Sequence, residues 1–378
     1  MKFNLSDNEL HLNFAPMSLT RPIACLRMGL FTNVERYQMY LPDAEIGFHT
    51  EDYLSKKYRA LDTDLVINSN VIPNEDFIAA ICNLEDNQTL ALNDQVLANK
   101  GSGKEIVLFV GQEPVIIGER WHIFQLNDIV LKQDFDAYTT NRKSQKLSDS
   151  NTLIGSKSDL FIEEGASIEG AILNTTTGPI YVGRQSEIME GSLIRGGLAL
   201  CENATLKMGS KVYGACSIGP HCKVGGEINN VIFQSYSNKG HDGFLGNSII
   251  GEWCNLGADT NTSNLKNNYS NVKTYSYVSK SEIKTTMQFM GLCMGDYSKS
   301  GINTMFNTAS VIGVSCNVFG SGFPAKHIPS FSWVNTLDMV SFDLDKAITS
   351  ANNMMTRRNL ALNQIDKDIF SHLSATKI

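Results

Sequence analysis

The chain has 378 residues and a formal net charge of −7 at neutral pH. That length is more than one compact core usually serves, so we expect two or more structural units. The negative charge argues against nucleic acid as a partner. No apolar run approaches the roughly 18 residues that cross a bilayer, and the first residues lack a signal-peptide pattern. We therefore expect a cytoplasmic protein without a membrane partner.

Residues 1–145 are predicted to form an α/β domain. Runs of branched residues favour short strands over 64–69 and 105–111. The segment 74–84 has helical spacing, and Asn74 at its start is a preferred N-cap residue.

A second helix is predicted over 120–141, because Ile129, Leu131 and Phe135 follow helical spacing. The polar segment 142–151 after it is expected to be a linker. The eight cysteines of the chain form no CxxC pair, so they are predicted to be buried free thiols, without a disulfide or metal role.

A six-residue repeat of aliphatic residues begins near residue 152, and glycine often follows the aliphatic residue directly. A repeat of this length indicates a parallel β-helix, in which each hexapeptide forms one short strand and one turn. The aliphatic side chain points inward, and the turn favours glycine. The repeated positions are Ile162 and Ile168; Val182, Ile188 and Ile194; Val212, Ile218 and Val224; Ile250 and Leu256; Val272 and Val278; Ile312 and Val318.

The repeat predicts a solenoid over 152–333. Interruptions of the six-residue step predict loops or irregular coils near 197–206 and 262–290. The pattern ends within 320–331, where two prolines break it.

The tail 341–375 is predicted to be one helix with an apolar stripe, capped at its start by Ser341 or Asp343. Such a helix can close the end of a solenoid or pack on a neighbouring subunit. The stripe consists of Leu344, Ile348, Met355, Leu362, Ile365, Ile369 and Leu373.

Two segments resemble the acetyltransferase half of a known family. Residues 214–228, GACSIGPHCKVGGEI, resemble one coil, and residues 237–268, which begin SNKGHDGFLG, resemble the segment with the catalytic histidine. The chain is similar to the GlmU-like family of bifunctional UDP-N-acetylglucosamine pyrophosphorylases and glucosamine-1-phosphate N-acetyltransferases. The resemblance implies a reduced nucleotidyltransferase-like domain, a left-handed parallel β-helix and a homotrimer that uses acetyl-CoA.

The same resemblance assigns roles to individual residues. His241 stands where the family has its general base, and Glu227 matches a glutamate one coil earlier. Asn255, Ala258 and Asn264 stand at positions that contact the sugar or acetyl-CoA.

The chain also departs from the family. Phe244 and Leu265 each replace a tyrosine, and Asn229 stands where a phosphate-binding lysine is expected. Recognition of the usual sugar phosphate is therefore in question, although charge from other coils could replace the missing contacts. The candidates are Lys211, Lys223, Lys239 and Arg195.

Acyl transfer to an amine needs a base for the amine proton and donors for the oxyanion of the thioester carbonyl. A histidine suits the first task, and Asp242 or Glu227 could hold its tautomer. Glycines 240, 243 and 246 could offer backbone N–H groups to the oxyanion. On its local sequence alone, His241 could equally be an exposed histidine in a glycine-rich turn.

The remaining histidines are expected to have no site role. His221 is predicted to lie on the surface, His327 in the proline-bounded exit, and His11 without a convergent partner. The lysines of segment 264–288 could meet CoA phosphates or could simply be solvated.

The N-terminal domain keeps only Thr20-Arg21, followed by proline, of the glycine-rich phosphate loop typical of sugar nucleotidyltransferases. Arg27 is a further candidate for phosphate contact. Mg²⁺ is expected only if this half is active, and Asp128 and Asp134, which could serve it, are as consistent with surface positions.

These patterns predict an acyl-CoA-dependent N-acetyltransferase that acts on an amino sugar phosphate or a nucleotide-linked amino sugar. One alternative is a sugar-1-phosphate nucleotidyltransferase whose solenoid serves oligomerisation. Another is a non-catalytic protein that binds a nucleotide sugar.

Overall fold

A computed structural model describes residues 1–335 and 338–376. Their contacts form two compact units. The first unit comprises residues 1–14, 18–26 and 31–120, and the second comprises residues 15–17, 27–30 and those from Trp121 onward. In the described ranges, every helix is too short or too polar to span a membrane.

The first unit is built on a mixed six-stranded sheet. The first three strands in spatial order are parallel, the fourth is antiparallel to both neighbours, and the last two are parallel to each other. The predicted strands over 64–69 and 105–111 are confirmed. In spatial order the strands are Glu45–His49, Lys2–Ser6, Leu65–Asn68, Gln95–Lys100, Gln88–Leu92 and Glu105–Leu108.

Two helices pack with this sheet. Helix α1 (Asn33–Tyr40) begins with a capping box formed by Thr32 and Glu35. Helix α2 (Glu75–Cys82) is capped as predicted, because the Asn74 side chain accepts a hydrogen bond from the Phe77 backbone at 2.9 Å. The unit also contains the short strands Phe31–Thr32, Val71–Ile72 and Val115–Ile116 and the 3₁₀ turns His11–Asn13, Ile23–Cys25 and Asp52–Leu54.

The second unit begins with two helices where one was predicted. Helices α3 (His122–Gln125) and α4 (Asn127–Thr139) are separated at Leu126. Both pack against solenoid strands. The spacing prediction was wrong for Ile129, which is 47% exposed while Val130 is buried.

Asp134 of α4 is buried, which rules out the surface position that its sequence also allowed. Its carboxylate accepts a hydrogen bond from the Leu30 backbone at 2.8 Å. Asp128 is exposed. The second unit also contains strand Arg27–Met28 and the 3₁₀ turn Lys157–Asp159.

The predicted solenoid is confirmed, and its strands form three parallel ladders. The first ladder contains Thr152–Ile154, Ile172–Asn174, Leu193–Arg195, Lys211–Tyr213 and the starts of Glu227–Phe233 and Phe244–Ile250. The separate parallel pair Asn261–Thr262 and Met305–Phe306 follows it. The second contains Leu160–Ile162, Ile180–Val182, Leu198–Leu200, Cys216–Ile218, the ends of the same two long strands, Leu292–Met294, Ser310–Ile312 and His327–Ile328. The third contains Ser167–Ile168, Glu187–Ile188, Thr205–Leu206, Lys223–Val224, Asn238–Lys239, Asn255–Leu256, Lys299–Ser300, Asn317–Phe319 and Ser332–Asn335.

The register explains the six-residue repeat. Ile162 pairs with Val182, Val182 with Leu200, and Leu200 with Ile218, so one inward position recurs in each coil and buries an aliphatic column. The expected irregularity near 197–206 was wrong, because regular strands of the second and third ladders cross this segment.

An insertion at 264–290 leaves the solenoid between the first and second ladders, as expected for 262–290. It contains an antiparallel hairpin of Lys273–Ser276 and Ser281–Lys284. Val272 and Val278 were therefore wrongly assigned to a coil. Val272 is buried beside the hairpin, and Val278 is exposed.

The predicted single C-terminal helix is instead two helices. Helix α5 (Leu344–Thr356) is capped by the Asp343 side chain, and helix α6 is Gln364–Thr376. The chain turns between them, so the apolar stripe is divided. Before α5, strand Asp338–Ser341 is antiparallel to Ser332–Asn335.

One corner of the solenoid, after each second-ladder strand, carries a residue with left-handed backbone. His221, Tyr236 and Trp253 occupy it in successive coils, with φ near +60°. Their rings stack, with centroids 4.6 Å and 4.3 Å apart. His221 is therefore half-buried in a ring stack at this corner.

The eight cysteines, all within the described ranges, form no disulfide, and six are buried inside the second unit. Cys25 is half-buried and Cys82 is exposed, so the prediction of burial was wrong for Cys82.

Candidate functional site

His241 lies in the turn 240–243, which links a third-ladder strand to the next first-ladder strand. The same turn one coil earlier contains only Gly225 and Gly226, whereas the turns 207–210 and 257–260 are as long as that of His241. The number of residues between Lys223 and its ladder partner in the next coil, Asn238, is correspondingly small. A Cβ on Gly240 would meet no atom within 4 Å, so the space beside this turn is open.

The short turn removes the carbonyl to which the third residue of the His241 turn, Asp242, would donate its backbone N–H. In the neighbouring turns, Gly209 donates its N–H to Glu190 and Asp259 donates to Asp242, each a carbonyl one coil earlier and each at 3.0 Å. Within the described part of the chain, the backbone N–H groups of 240–243 make no hydrogen bond. Successive free N–H groups in a turn form a concavity that suits an anion.

The His241 side chain is exposed and, among the described residues, makes no hydrogen bond. The two carboxylates predicted to hold its tautomer do not do so in this structure. Glu227 accepts a hydrogen bond from the Tyr213 hydroxyl at 2.7 Å. Asp242 is exposed, and its carboxylate bonds to no described residue.

Lys239 is buried directly beneath this turn, with 1% of its surface exposed. It pairs with Val224, so it occupies an inward position of the third ladder. Its ammonium donates to the carbonyl oxygens of His241 at 2.8 Å and of Gly225 at 3.3 Å. Burial lowers the pKa of Lys239 to about 8, and the Asp242 and Asp259 carboxylates oppose that change.

Phe244 and Asn264 lie together over Gly246. A Cβ on Gly246 would lie 2.6 Å from the Phe244 ring and 2.7 Å from the Asn264 amide nitrogen. Asn264 donates to the Asn247 side chain at 2.7 Å. The Gly246 N–H is buried and 3.4 Å from the Thr262 hydroxyl, so Gly246 does not offer a donor as Gly240 and Gly243 do.

The other predicted ligand residues lie on adjoining coils. Asn255 is exposed on the third ladder, and Ala258 follows it in the next turn. Asn229 is half-buried on the first ladder, between Tyr213 and Gly246. Lys211, Lys223 and Arg195 are exposed elsewhere on the ladders.

The lysines of the insertion are partly engaged with backbone. Lys266 donates to the Asn271 carbonyl at 3.0 Å, and Lys326 donates to the Lys273 carbonyl at 2.7 Å. Burial lowers the pKa of Lys326; the Glu282 carboxylate opposes this change, and the weaker effects of Lys266 and Lys273 add to it. His327 stacks on Tyr275 of the hairpin, with centroids 3.4 Å apart.

In the first unit, Thr20 and Arg21 are 8% and 7% exposed. Their segment packs around Asp7, whose carboxylate accepts the Ile23 N–H at 2.9 Å and contacts His11 Nδ1 at 3.0 Å. The expectation that His11 lacks a partner was therefore wrong. The four-residue spacing of Asp7 and His11 was the available signal for this pair.

Arg27 belongs to the second unit and is buried. Its guanidinium donates to the Leu30 carbonyl, and its backbone N–H donates to the Gln234 side chain at 2.7 Å. These bonds hold a loop on the solenoid and leave Arg27 unsuited to contact a phosphate.

Among the described residues, no group of three or more histidine, cysteine, aspartate or glutamate side chains is placed to hold a metal ion. Of the two aspartates that could serve Mg²⁺, Asp134 is buried and accepts the Leu30 N–H, which leaves it unsuited to bind a metal ion.

Comparison with known proteins gives matches in both units. Residues 3–143 match the family described as sugar nucleotidyl transferase. The bifunctional protein GlmU of Methanocaldococcus jannaschii is 31% identical over 116 residues, which is 31% of this chain and 28% of the relative. That of Synechococcus elongatus is 24% identical over 182 residues, 45% of this chain and 36% of the relative. The chain thus spans about a third of the length of these relatives.

Solved structures also resemble the chain at low similarity. The polysialic-acid-specific acetyltransferase NeuO is 12% identical, with a TM-score of 0.25, over 59% of this chain and 100% of that one. The UDP-N-acetylglucosamine acyltransferase of Campylobacter jejuni is 12% identical, with a TM-score of 0.24, over 60% and 95%. The sequence matches confirm the resemblance to the GlmU-like family, with residues 3–143 similar to sugar nucleotidyl transferases.

Proposed function

We propose that this chain is an acyl-CoA-dependent N-acetyltransferase for an amino sugar phosphate or a nucleotide-linked amino sugar. The observation that carries the proposal is the turn 240–243, where an exposed histidine adjoins backbone N–H groups that have no partner in the described chain. Acyl transfer requires a base and an oxyanion site side by side. The resemblance to GlmU proteins supports the same chemistry.

In the proposed reaction, the substrate amine attacks the thioester carbonyl of acetyl-CoA. His241 takes a proton from the amine nitrogen as the C–N bond forms. Backbone N–H groups of 240–243 stabilise the negative charge on the carbonyl oxygen. The C–S bond then breaks, and His241 returns the proton to the CoA sulfur.

The site residues divide between the two substrates. Asn255, Ala258 and Asn264 are proposed to contact acetyl-CoA. Phe244 and Asn229, in place of the family's tyrosine and lysine, would make the sugar subsite less suited to a phosphate. A homotrimer, in which acyl-CoA lies between neighbouring solenoids, is part of this proposal.

The test is release of free CoA thiol from acetyl-CoA with a panel of amino sugars. His241→Gln should lower kcat by about 10²–10⁴-fold, because it removes the general base and keeps a side chain of similar size. His49→Gln changes an exposed histidine of the first unit and should leave turnover unchanged. Equal turnover in the wild-type chain and His241→Gln would disprove the assignment.

The match of residues 3–143 favours a second candidate, sugar-1-phosphate nucleotidyl transfer in the first unit. Arg21 would then have to leave its buried position to reach a phosphate. A chain with this activity should release pyrophosphate from a nucleoside triphosphate and a sugar-1-phosphate, and Arg21→Gln should abolish that release. Undiminished release in Arg21→Gln would exclude Arg21 from this role, and nucleotide-sugar binding without turnover in either assay would indicate a binding protein.

A further inference from the structure

Lys239 occupies a position that its side chain does not favour. The inward positions of the third ladder next to it in register are aliphatic, with Val224 one coil earlier and Leu256 one coil later. A lysine buried among such residues must leave water, and this costs free energy unless its ammonium finds partners. None of the described carboxylates forms a salt bridge with it.

The partners of Lys239 are two backbone carbonyls that belong to adjacent coils. One belongs to Gly225 in the short turn, and the other to His241 itself. The ammonium thus bridges adjacent coils at the point where the missing turn residues remove the usual backbone contact. A Cβ on Gly226 would lie 3.0 Å from the same nitrogen, so the short turn packs directly over it.

We propose that Lys239 is a positioning residue, whose charged ammonium holds the His241 turn in place for acyl transfer. Hydrogen bonds from a charged donor are about twice as strong as those from a neutral one. The bridge is therefore strong while Lys239 is protonated and weakens when it loses its proton. The part of this inference that concerns turnover rests on the proposed function.

The charges around the ammonium define its pH range. Asp242 and Asp259 face it from its own turn and from the following one, and both favour the protonated form. Burial opposes them and dominates, which brings the pKa of Lys239 to about 8. The bridge should accordingly be intact at pH 7 and weakened above pH 9.

The chain supplies a matched control in Lys299. It lies on the same ladder, where it pairs with Asn255, and burial lowers its pKa as well. Its ammonium donates to the Tyr297 carbonyl at 3.2 Å. This contact lies before the Lys299 strand, whereas the turns aligned with that of His241 follow the third-ladder strands. Lys299 is half-buried whereas Lys239 is buried, but Lys299→Met also removes an ammonium that donates to backbone, and it does so without touching the turn.

The experiment compares wild-type, Lys239→Met and Lys299→Met chains at pH 7 and pH 9. Amide hydrogen exchange is followed at Glu227 and Asp259, whose N–H groups donate to carbonyls of the His241 turn. Lys239→Met should exchange about tenfold faster than the other two at pH 7, and the difference should shrink at pH 9. The kcat for CoA release should be lower in Lys239→Met than in the other two chains at pH 7. In the wild-type chain kcat should fall as the pH rises toward 9, and Lys239→Met should lack this fall.

The two readouts separate the possible failures. One outcome is that amide exchange follows the expected pattern in a chain that shows no acyl transfer. This result would support the Lys239 bridge and overturn the proposed function. The opposite result is turnover that depends on His241, with amide exchange equal in Lys239→Met and the wild-type chain and a ratio of their activities that does not change with pH. It would overturn the positioning role of Lys239 and support the proposed function.

Discussion

At the scale of single residues, the site depends on a lysine in an unfavourable environment. The buried ammonium of Lys239 has only carbonyl partners and two carboxylates at longer range. Perturbed pKa values are concentrated at functional sites. The shifted pKa of Lys239 agrees with the positioning role proposed for it beside His241.

The pKa of Lys239 predicts how that cost varies with pH. The folded-state value of about 8 lies below the ordinary value of 10.5. Between these two pH values the unfolded chain holds a proton that the folded chain has lost, so the free energy of unfolding rises with pH. Urea unfolding should show the wild-type chain gaining about 2–3 kcal/mol relative to Lys239→Met between pH 7.5 and pH 10.5. A constant difference across this range would contradict the prediction.

At the scale of elements, the C-terminal helices close one corner of the solenoid. Phe370 of α6 makes edge contacts with Tyr297 at 5.0 Å and Phe331 at 5.6 Å, both corner residues with left-handed backbone. The Tyr297 hydroxyl lies 3.8 Å from the sulfur of Met355 in α5. Aromatic contacts at corner residues of the solenoid therefore help to hold both helices in place.

Phe370→Ala should release these helices and leave the coils folded. Phe370 is 2% exposed, and loss of a buried phenylalanine costs about 3–5 kcal/mol. Limited trypsin digestion should then cleave faster at Arg357 and Arg358, between α5 and α6, while the solenoid remains intact. Leu360→Ala, at an exposed position of the same loop, is the control and should digest like the wild-type chain.

At the scale of the whole molecule, the repeat made the solenoid predictable. Aliphatic residues at a six-residue step must face inward if coils stack, and the ladders place Ile162, Val182 and Ile218 in one column. The insertion after Asn264 was predicted because the step fails there. The irregularity expected at 197–206 was wrong because the step does not fail there: Leu200 and Leu206 continue it and occupy inward positions of the ladders.

The site was less predictable than the coils. His241 came from a resemblance, whereas the free N–H groups around it depend on the length of a turn one coil away. The position of Lys239 did have a signal, because Lys239-Gly240 stands where Val224-Gly225 and Leu256-Gly257 have an aliphatic residue before glycine. The burial of Arg21 around Asp7 had none, since it arises from packing between segments distant in sequence.

The short turn at Gly225 and Gly226 shows that the surface and the core of this chain can change independently. Removing residues there leaves Lys211, Glu227 and Phe244 paired in register along the first ladder. An insertion or deletion at a corner therefore alters the outline of the surface around His241 without disturbing the aliphatic columns. If the proposed function holds, a change in the length of one turn would be enough to reshape the acceptor site, with no compensating change in the coils.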